Sequence, residues 1–222
     1  MKKIITLLVA MVIAVICFSN CNAQSTAKSV DLDLPSGTLW ADRNVGAASP
    51  EDYGDYFAWG ETSTKSNFDW SNYKYANGDY KKITKYCSKS EFGNNGYTDT
   101  LTILECADDA AAANWGSDWC MPTQQQFEEL EDNCTWTWTT RNGKDGYEVM
   151  GKNGNSIFLP ATGFYCGEVH NYVRYYGNYW SSSLNTDDPF EGRNLDFDSG
   201  FVNPGNLYDR TNGQTVRPVR CK

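Results

Sequence analysis

Only one histidine, His170, occurs in the 222 residues. No Cys-x-x-Cys pair and no Gly-x-Ser-x-Gly elbow is present either. Without these, the usual zinc ligand sets and a serine-hydrolase nucleophile turn have nothing to be built from. Basic residues are scarce as well: 19 Lys and Arg face 28 Asp and Glu, for a net charge of −9. Such a chain repels phosphate backbones, which argues against a nucleic-acid partner. Beyond residue 23 no apolar run is long enough to span a bilayer.

The first 23 residues form the one long apolar stretch. Lys2 and Lys3 precede an apolar run from Ile4 to Phe18, the form of an export signal. Cleavage after Ala23 would give a soluble secreted protein. The alternative is a lipid anchor on Cys21, although Phe18-Ser19-Asn20 lacks the small residues wanted before a lipidated cysteine. Either way, the expected location is the exterior or outer surface of a bacterial cell, with membrane contact only through Cys21. Losing the leader removes two lysines and no acid, which leaves the mature chain more acidic.

Aromatic residues are abundant: 14 Tyr, 10 Phe and 8 Trp. A core does not need so many tyrosines, and Tyr and Trp combine an apolar body with a polar tip suited to recognition. A loop-rich fold with few helices could also absorb them. Six cysteines follow the leader, at 87, 106, 120, 134, 166 and 221. An even number in an exported chain suggests disulfides, and fifteen connectivities can be drawn.

Residues 24–29 read as a short linker, and the domain as starting at Val30. Two strands flank the Pro-Ser-Gly turn of VDLDLPSGTLWADRNVG. Tyr53 to Gly60 is core-lining, and Glu61 to about Thr100 reads as long loops. A helix is expected over Ala107–Trp115, opened by Asp108-Asp109 and stopped by Gly116. A second is expected over Gln124–Asp132, with Thr123 and Gln126 spaced as a capping box and Phe127, Leu130 and Cys134 facing the core. Tyr147 and Val149, then Ile157 and Leu159, alternate about a turn at Lys152–Asn155, a hairpin signal. A last strand is expected near Val216–Arg220. Two helices followed by antiparallel strands give an α+β fold class.

Several chemistries can be weighed. Cys166 and His170 stand four residues apart, but nothing orients them as a nucleophile pair. A structural disulfide is the better reading for Cys166, and a surface loop for His170. Asp187, Asp188 and Glu191 could act as paired acids on a glycosidic bond, but read better as a solvated face. Asn194, Asp196 and Asp198 alternate before Gly200 as calcium ligands might be arranged. Yet the glycine comes one place late, and a polar strand face explains the alternation equally well. No metal, cofactor or catalytic residue is assigned on these grounds.

The most informative stretch runs from Gly177 to Arg220. Trp180, Leu195, Phe197, Gly200, Val202, Gly213, Val216 and Val219 look architectural. Between them Asp196, Asp198, Phe201, Asn203, Asn206, Leu207, Tyr208, Asp209, Thr211 and Asn212 follow no packing pattern. Aromatic residues among Asn and Asp suit an adaptable recognition surface, with Trp180 supporting or lining it. Composition alone leaves open whether Phe201, Leu207 and Tyr208 point outward or fold back onto the core.

NWGSDWCMPTQQQFEEL, DNCTWTWTT, GKNGNSIFLPATG, YWSSS and GQTVRPVR occur in that order. The set resembles the Fibrobacter succinogenes major paralogous domain family of exported bacterial proteins. More remotely it resembles the C-type lectin fold of the formylglycine-generating-enzyme type. The likeness spans Val30 to Arg220. It implies a C-type lectin-like domain over residues 30–222, with two helices, a small antiparallel sheet and long loops. It further implies binding of a protein or glycan rather than catalysis, since the catalytic cysteines of formylglycine-generating enzymes have no counterpart. Cys120 departs from the family pattern, where Arg or another residue is expected.

The C-terminal stretch is similar to the variable proteins of diversity-generating retroelements, in which template adenines are randomised. Asp, Tyr, Phe, Leu, Thr and Gly can all be reached from Asn codons (AAY) by changing adenines, and the ten residues without packing logic fit that set. The resemblance implies a ligand-binding face at those ten positions. A structural or adhesive component of a surface assembly is the second reading, and a glycan-active enzyme the third.

Overall fold

A computed structural model describes residues 27–221. The expected export leader, the expected lipid-anchor cysteine and the first half of the linker lie outside the described residues. The helix and sheet content is mixed, with few helices and several small antiparallel sheets. No helix among the described residues is long and apolar enough to cross a membrane.

The first sheet joins the two ends of the chain. Its strands are β1 (Ser29–Asp31), β2 (Leu39–Ala41), β3 (Trp119–Cys120) and β12 (Val219–Arg220), in the order β1-β2-β12-β3. Val219 is paired with Trp40 on one side and Cys120 on the other. A disulfide between Cys120 and Cys221 fastens β12 to β3, with the two Cα atoms 5.4 Å apart. Cys120 thus has its partner at the last described residue. The other four cysteines among the described residues are unbridged: Cys87 is buried, Cys134 is half-buried, and Cys106 and Cys166 are exposed. The expected disulfide at Cys166 is therefore corrected to a free thiol.

Segment 42–109 is largely loop, with 3-10 turns at Trp70–Asn72, Asn94–Gly96 and Cys106–Asp108. α1 spans Ala110–Trp115, shorter at its start than expected. Asp109 is the cap. Its Oδ1 accepts from the Ala111 and Ala112 amides, and its Oδ2 accepts from Met121 N at 2.8 Å. Asp108 serves a different purpose. Its buried carboxylate accepts from Tyr75, Tyr86, Lys74 and Lys85, which hold it well below the usual carboxylate range despite burial. This network ties the long loop region to the helix start.

α2 spans Gln124–Asn133, and both halves of its capping box are made. Phe127 and Leu130 are fully buried, and Cys134 packs against the same cluster. The expected hairpin is found as β5 (Lys144–Met150) and β6 (Ser156–Pro160), preceded by β4 (Thr135–Arg141), in the order β4-β5-β6. A two-stranded hairpin of β7 (Phe164–Cys166) and β8 (Val169–Asn171) follows. The third sheet carries the C-terminal stretch. It consists of β9 (Gly177–Leu184), β10 (Glu191–Asp198) and β11 (Phe201–Asp209), in the order β11-β10-β9.

Two buried arginines take the place of apolar packing. Arg217 donates to Asn44 Oδ1 at 2.8 Å and to the Ala41 and Phe158 carbonyls. Burial pushes its guanidinium down to about 10, against the opposing pull of Tyr179 and Asp42. Arg210 is likewise fully buried and lies over the Trp59 ring, 4.7 Å from its centroid.

Candidate ligand-binding face

Strand β9 is buried along its whole length, and β10 nearly so, while β11 is exposed or half-exposed throughout. The sheet therefore has a buried side strand and an exposed edge strand. Leu195 and Phe197 turn to one side and join Phe127 and Leu130 of α2 in the core. Asn194, Asp196 and Asp198 turn to the other, as alternation along a strand requires.

The register between β10 and β11 sorts the expected binding residues. Phe201 lies opposite Asp198, Asn203 opposite Asp196, Asn206 opposite Asn194, and Tyr208 opposite Gly192. These share the face of Asp196 and Asp198. Leu207, opposite Arg193, and Asp209, opposite Glu191, alternate to the reverse side. A bulge separates the pairs Asp196–Asn203 and Asn194–Asn206, giving β11 one extra residue there. It contains Pro204, which has no N–H to offer a ladder, and Gly205, whose amide donates to Asn203 Oδ1 at 3.1 Å.

Phe201 is 43% exposed and Leu207 37%, so both point outward. Tyr208 is intermediate. Its ring leans on Phe164 of β7, centroids 4.9 Å apart, and packs against the buried cluster around Trp180. Thr211 and Asn212 differ from the expectation that they contact a ligand, and Trp180, expected to support or line the face, could only support it. All three are buried and offer a ligand no surface. Trp180 donates its indole N–H to Phe57 O at 2.9 Å, and Asn212 donates to Tyr165 O. The chain dives inward at Arg210 and takes Thr211 and Asn212 with it.

Asp196 is the electrostatic centre of the face. It is only 7% exposed. Asn178 Nδ2 donates to its Oδ1 at 2.9 Å, and Asn206 Nδ2 reaches its Oδ2 at 3.4 Å. Burial, with Asp198 nearby, still pushes its carboxyl up to about 6. Next to it, burial pushes the Tyr208 phenol up to about 12. The folded carboxyl thus holds a proton that the unfolded chain releases near pH 4. Stability falls as pH rises from about 4 through 6 and stays lower above that. Asp196→Asn is accordingly expected to raise the melting temperature at pH 7.5, by the equivalent of about 1–3 kcal/mol. Near pH 4 the gain should vanish. Thermal melts at both pH values check this, and an equal change at each would show that charge is not the cause.

The three alternating oxygens do not converge as a cation site. Asn194 donates its amide to Gln214 Oε1 at 2.9 Å, Asp196 faces Asn178, and Asp198 Oδ1 accepts from Gly200 N. Among the described residues no cluster of three or more His, Cys, Asp or Glu side chains could hold a metal ion. The surface-loop reading of His170 is also corrected. The residue lies in β8, half-buried, with its ring stacked on Tyr165 at 4.2 Å and Nε2 2.9 Å from Thr162 O. Cys166 pairs instead with Val169, so alternation directs its thiol away from that ring.

Residues outside the expected set border the face. Phe164 contacts Tyr172, whose ring meets Tyr176, extending an aromatic line from Tyr208. Tyr density in NYVRYYGNYW is the sequence signal for them, but the fold is what carries it to β11. No family model matches the chain, and neither a curated protein nor a solved structure is significantly similar to it.

Proposed function

We propose that this protein is an exported, lectin-like binding protein whose ligand rests on β11 and the adjoining side of β10. The observation that carries this reading is the contrast within one sheet: a wholly buried β9 beside a β11 that exposes Phe, Asn, Leu, Tyr and Asp in succession. Phe201 and Tyr208 supply apolar contact, and Asn203, Asn206 and Asp198 supply hydrogen bonds, while the buried Asp196 holds Asn178 and Asn206 in place. Pairing of the chain's ends in one sheet, two helices, small antiparallel sheets and a long loop segment support the C-type lectin-like assignment. Diversification by a retroelement fits a strand whose side chains contribute little to the core, and a template repeat beside the gene would test it.

A protein rather than a sugar ligand is favoured by the breadth of exposed apolar surface. Tyr172 and Val169 are both more than half exposed, and Tyr175 is 71% exposed. This is the form the adhesive alternative would take.

The test compares wild type with Phe201→Ala/Tyr208→Ala on a glycan array and in pull-downs from bacterial and host surface material. Binding should be lost in the variant. Phe201→Ala alone should shift stability by no more than about 0.5 kcal/mol, and Tyr208→Ala by about 1–2 kcal/mol, since only Tyr208 leans on the core. Unchanged binding by the double variant would sink the assignment.

A further inference from the structure

Away from the side of the sheet bearing Phe201 and Tyr208, Trp70, Tyr80, Phe190 and Asp209 line a hollow of about 280 Å³. A second hollow, about 460 Å³, adjoins it through Tyr80 and Phe190 and reaches Lys81 and Glu91. The rings stand as walls. Trp70 and Tyr80 are inclined by 57° with centroids 6.4 Å apart, and Tyr80 and Phe190 by 69° at 5.4 Å. Rings gathered around a small space suit a cation, which is attracted to their electron-rich faces.

Asp209 makes the chemistry specific. Its carboxylate is exposed and has no hydrogen-bond or ion-pair partner among the described residues. The groups lining this hollow, three aromatic rings and one carboxylate, suit a cation, and none of them supplies one. The Lys81 ammonium, 5.5 Å from the Tyr80 centroid, shows that ring already attracting positive charge on the side of the second hollow.

The walls are held in place. Arg210 N donates to Phe190 O at 3.0 Å, and its guanidinium donates to Pro189 O and to Tyr73 Oη. The Tyr73 ring in turn packs edge-on against Trp70. Asp69 caps the turn bearing Trp70 through Ser71 N, and Asp79 accepts from Lys81 N beside Tyr80. Prior ordering of this kind lowers the entropic cost of binding.

We infer that the hollow formed by Trp70, Tyr80, Phe190 and Asp209 binds a quaternary ammonium group. Calorimetric titration with choline and tetramethylammonium tests this against 3,3-dimethyl-1-butanol, the neutral isostere of choline. Choline should bind at least about tenfold more tightly than the isostere. Trp70→Ala and Asp209→Asn should each weaken it about tenfold, Asp209→Asn with little change in melting temperature and Trp70→Ala with a modest fall, because Trp70 also packs against the core. Phosphocholine and trimethyl-lysine arms identify the source: the tighter of the two assigns the site to a phosphocholine headgroup or to a methylated protein. Equal binding of the neutral isostere, full binding by Trp70→Ala, or no saturable choline binding up to about 10 mM overturns the proposal. The Phe201→Ala/Tyr208→Ala variant should bind choline as wild type does, because neither residue lines the hollow. Failure on β11 and failure here are thereby separable.

Discussion

Replacing Arg210 with alanine is expected to destabilise the fold by about 3–5 kcal/mol. The guanidinium is fully buried and spends its donors on Tyr73 Oη, the carbonyls of Tyr86 and Pro189, and the carbonyl of Lys85. Truncation would leave three carbonyls without donors and open a space beneath Trp59 and Tyr86. The acceptors belong to segments far apart in sequence, so no local rearrangement can replace a planar fork that reaches all of them. Arg210→Lys should recover only part of the loss, since an ammonium cannot satisfy that geometry or lie flat on Trp59. For a chain of this size, melting should fall by about 10 °C in Arg210→Ala. A fall below about 3 °C would mean that the freed carbonyls find other donors.

Reduction of the Cys120–Cys221 bridge should have an effect of similar size. The two cysteines are 101 residues apart, and closing a loop of that length restricts the unfolded chain by about 4–5 kcal/mol in the chain-entropy account. The native side has little to compensate. β3 and β12 are two residues long each, so their pairing supplies few ladder hydrogen bonds. Melting with and without a phosphine reductant should show a large drop in wild type. The double variant Cys120→Ser/Cys221→Ser should melt low and ignore the reductant. Equal melting of reduced and oxidised wild type would show that the strands and the Trp119–Arg220 contact hold the end of the chain unaided.

Local signals in the sequence were read well where local physics decides. The capping box of α2 needs only Thr123 and Gln126, and the β5–β6 turn only its Asn and Gly residues. Fold class follows from the same signals at a coarse level, as few helices and several small antiparallel sheets. Long-range partnerships were not legible. Asp108 resembles a helix cap until Lys74, Lys85, Tyr75 and Tyr86 are seen around it, and then Asp109 takes the cap. Six cysteines suggested several bridges, but pairing depends on which Cα atoms the fold brings near each other. Thr211 and Asn212 carry the chemistry of a recognition loop and are buried because Arg210 draws the backbone inward. Alternation about a bulge then decided which of the remaining residues share a face. The Trp70 hollow was invisible for the same reason, since its four residues lie at 70, 80, 190 and 209.

The order β1-β2-β12-β3 also bears on how the molecule would carry tension. Suppose a captured ligand pulls on β11 while the chain is held upstream of Ala27. Force leaving β11 travels through residues 210–218 into β12, and force from the other end enters through β1 and β2. The two paths meet where Val219 pairs with Trp40. The disulfide fastens the outer side of that junction covalently. Mechanical strength would thus be concentrated in the first sheet, and substitutions on the exposed strand β11 would leave the joint that bears the load unweakened.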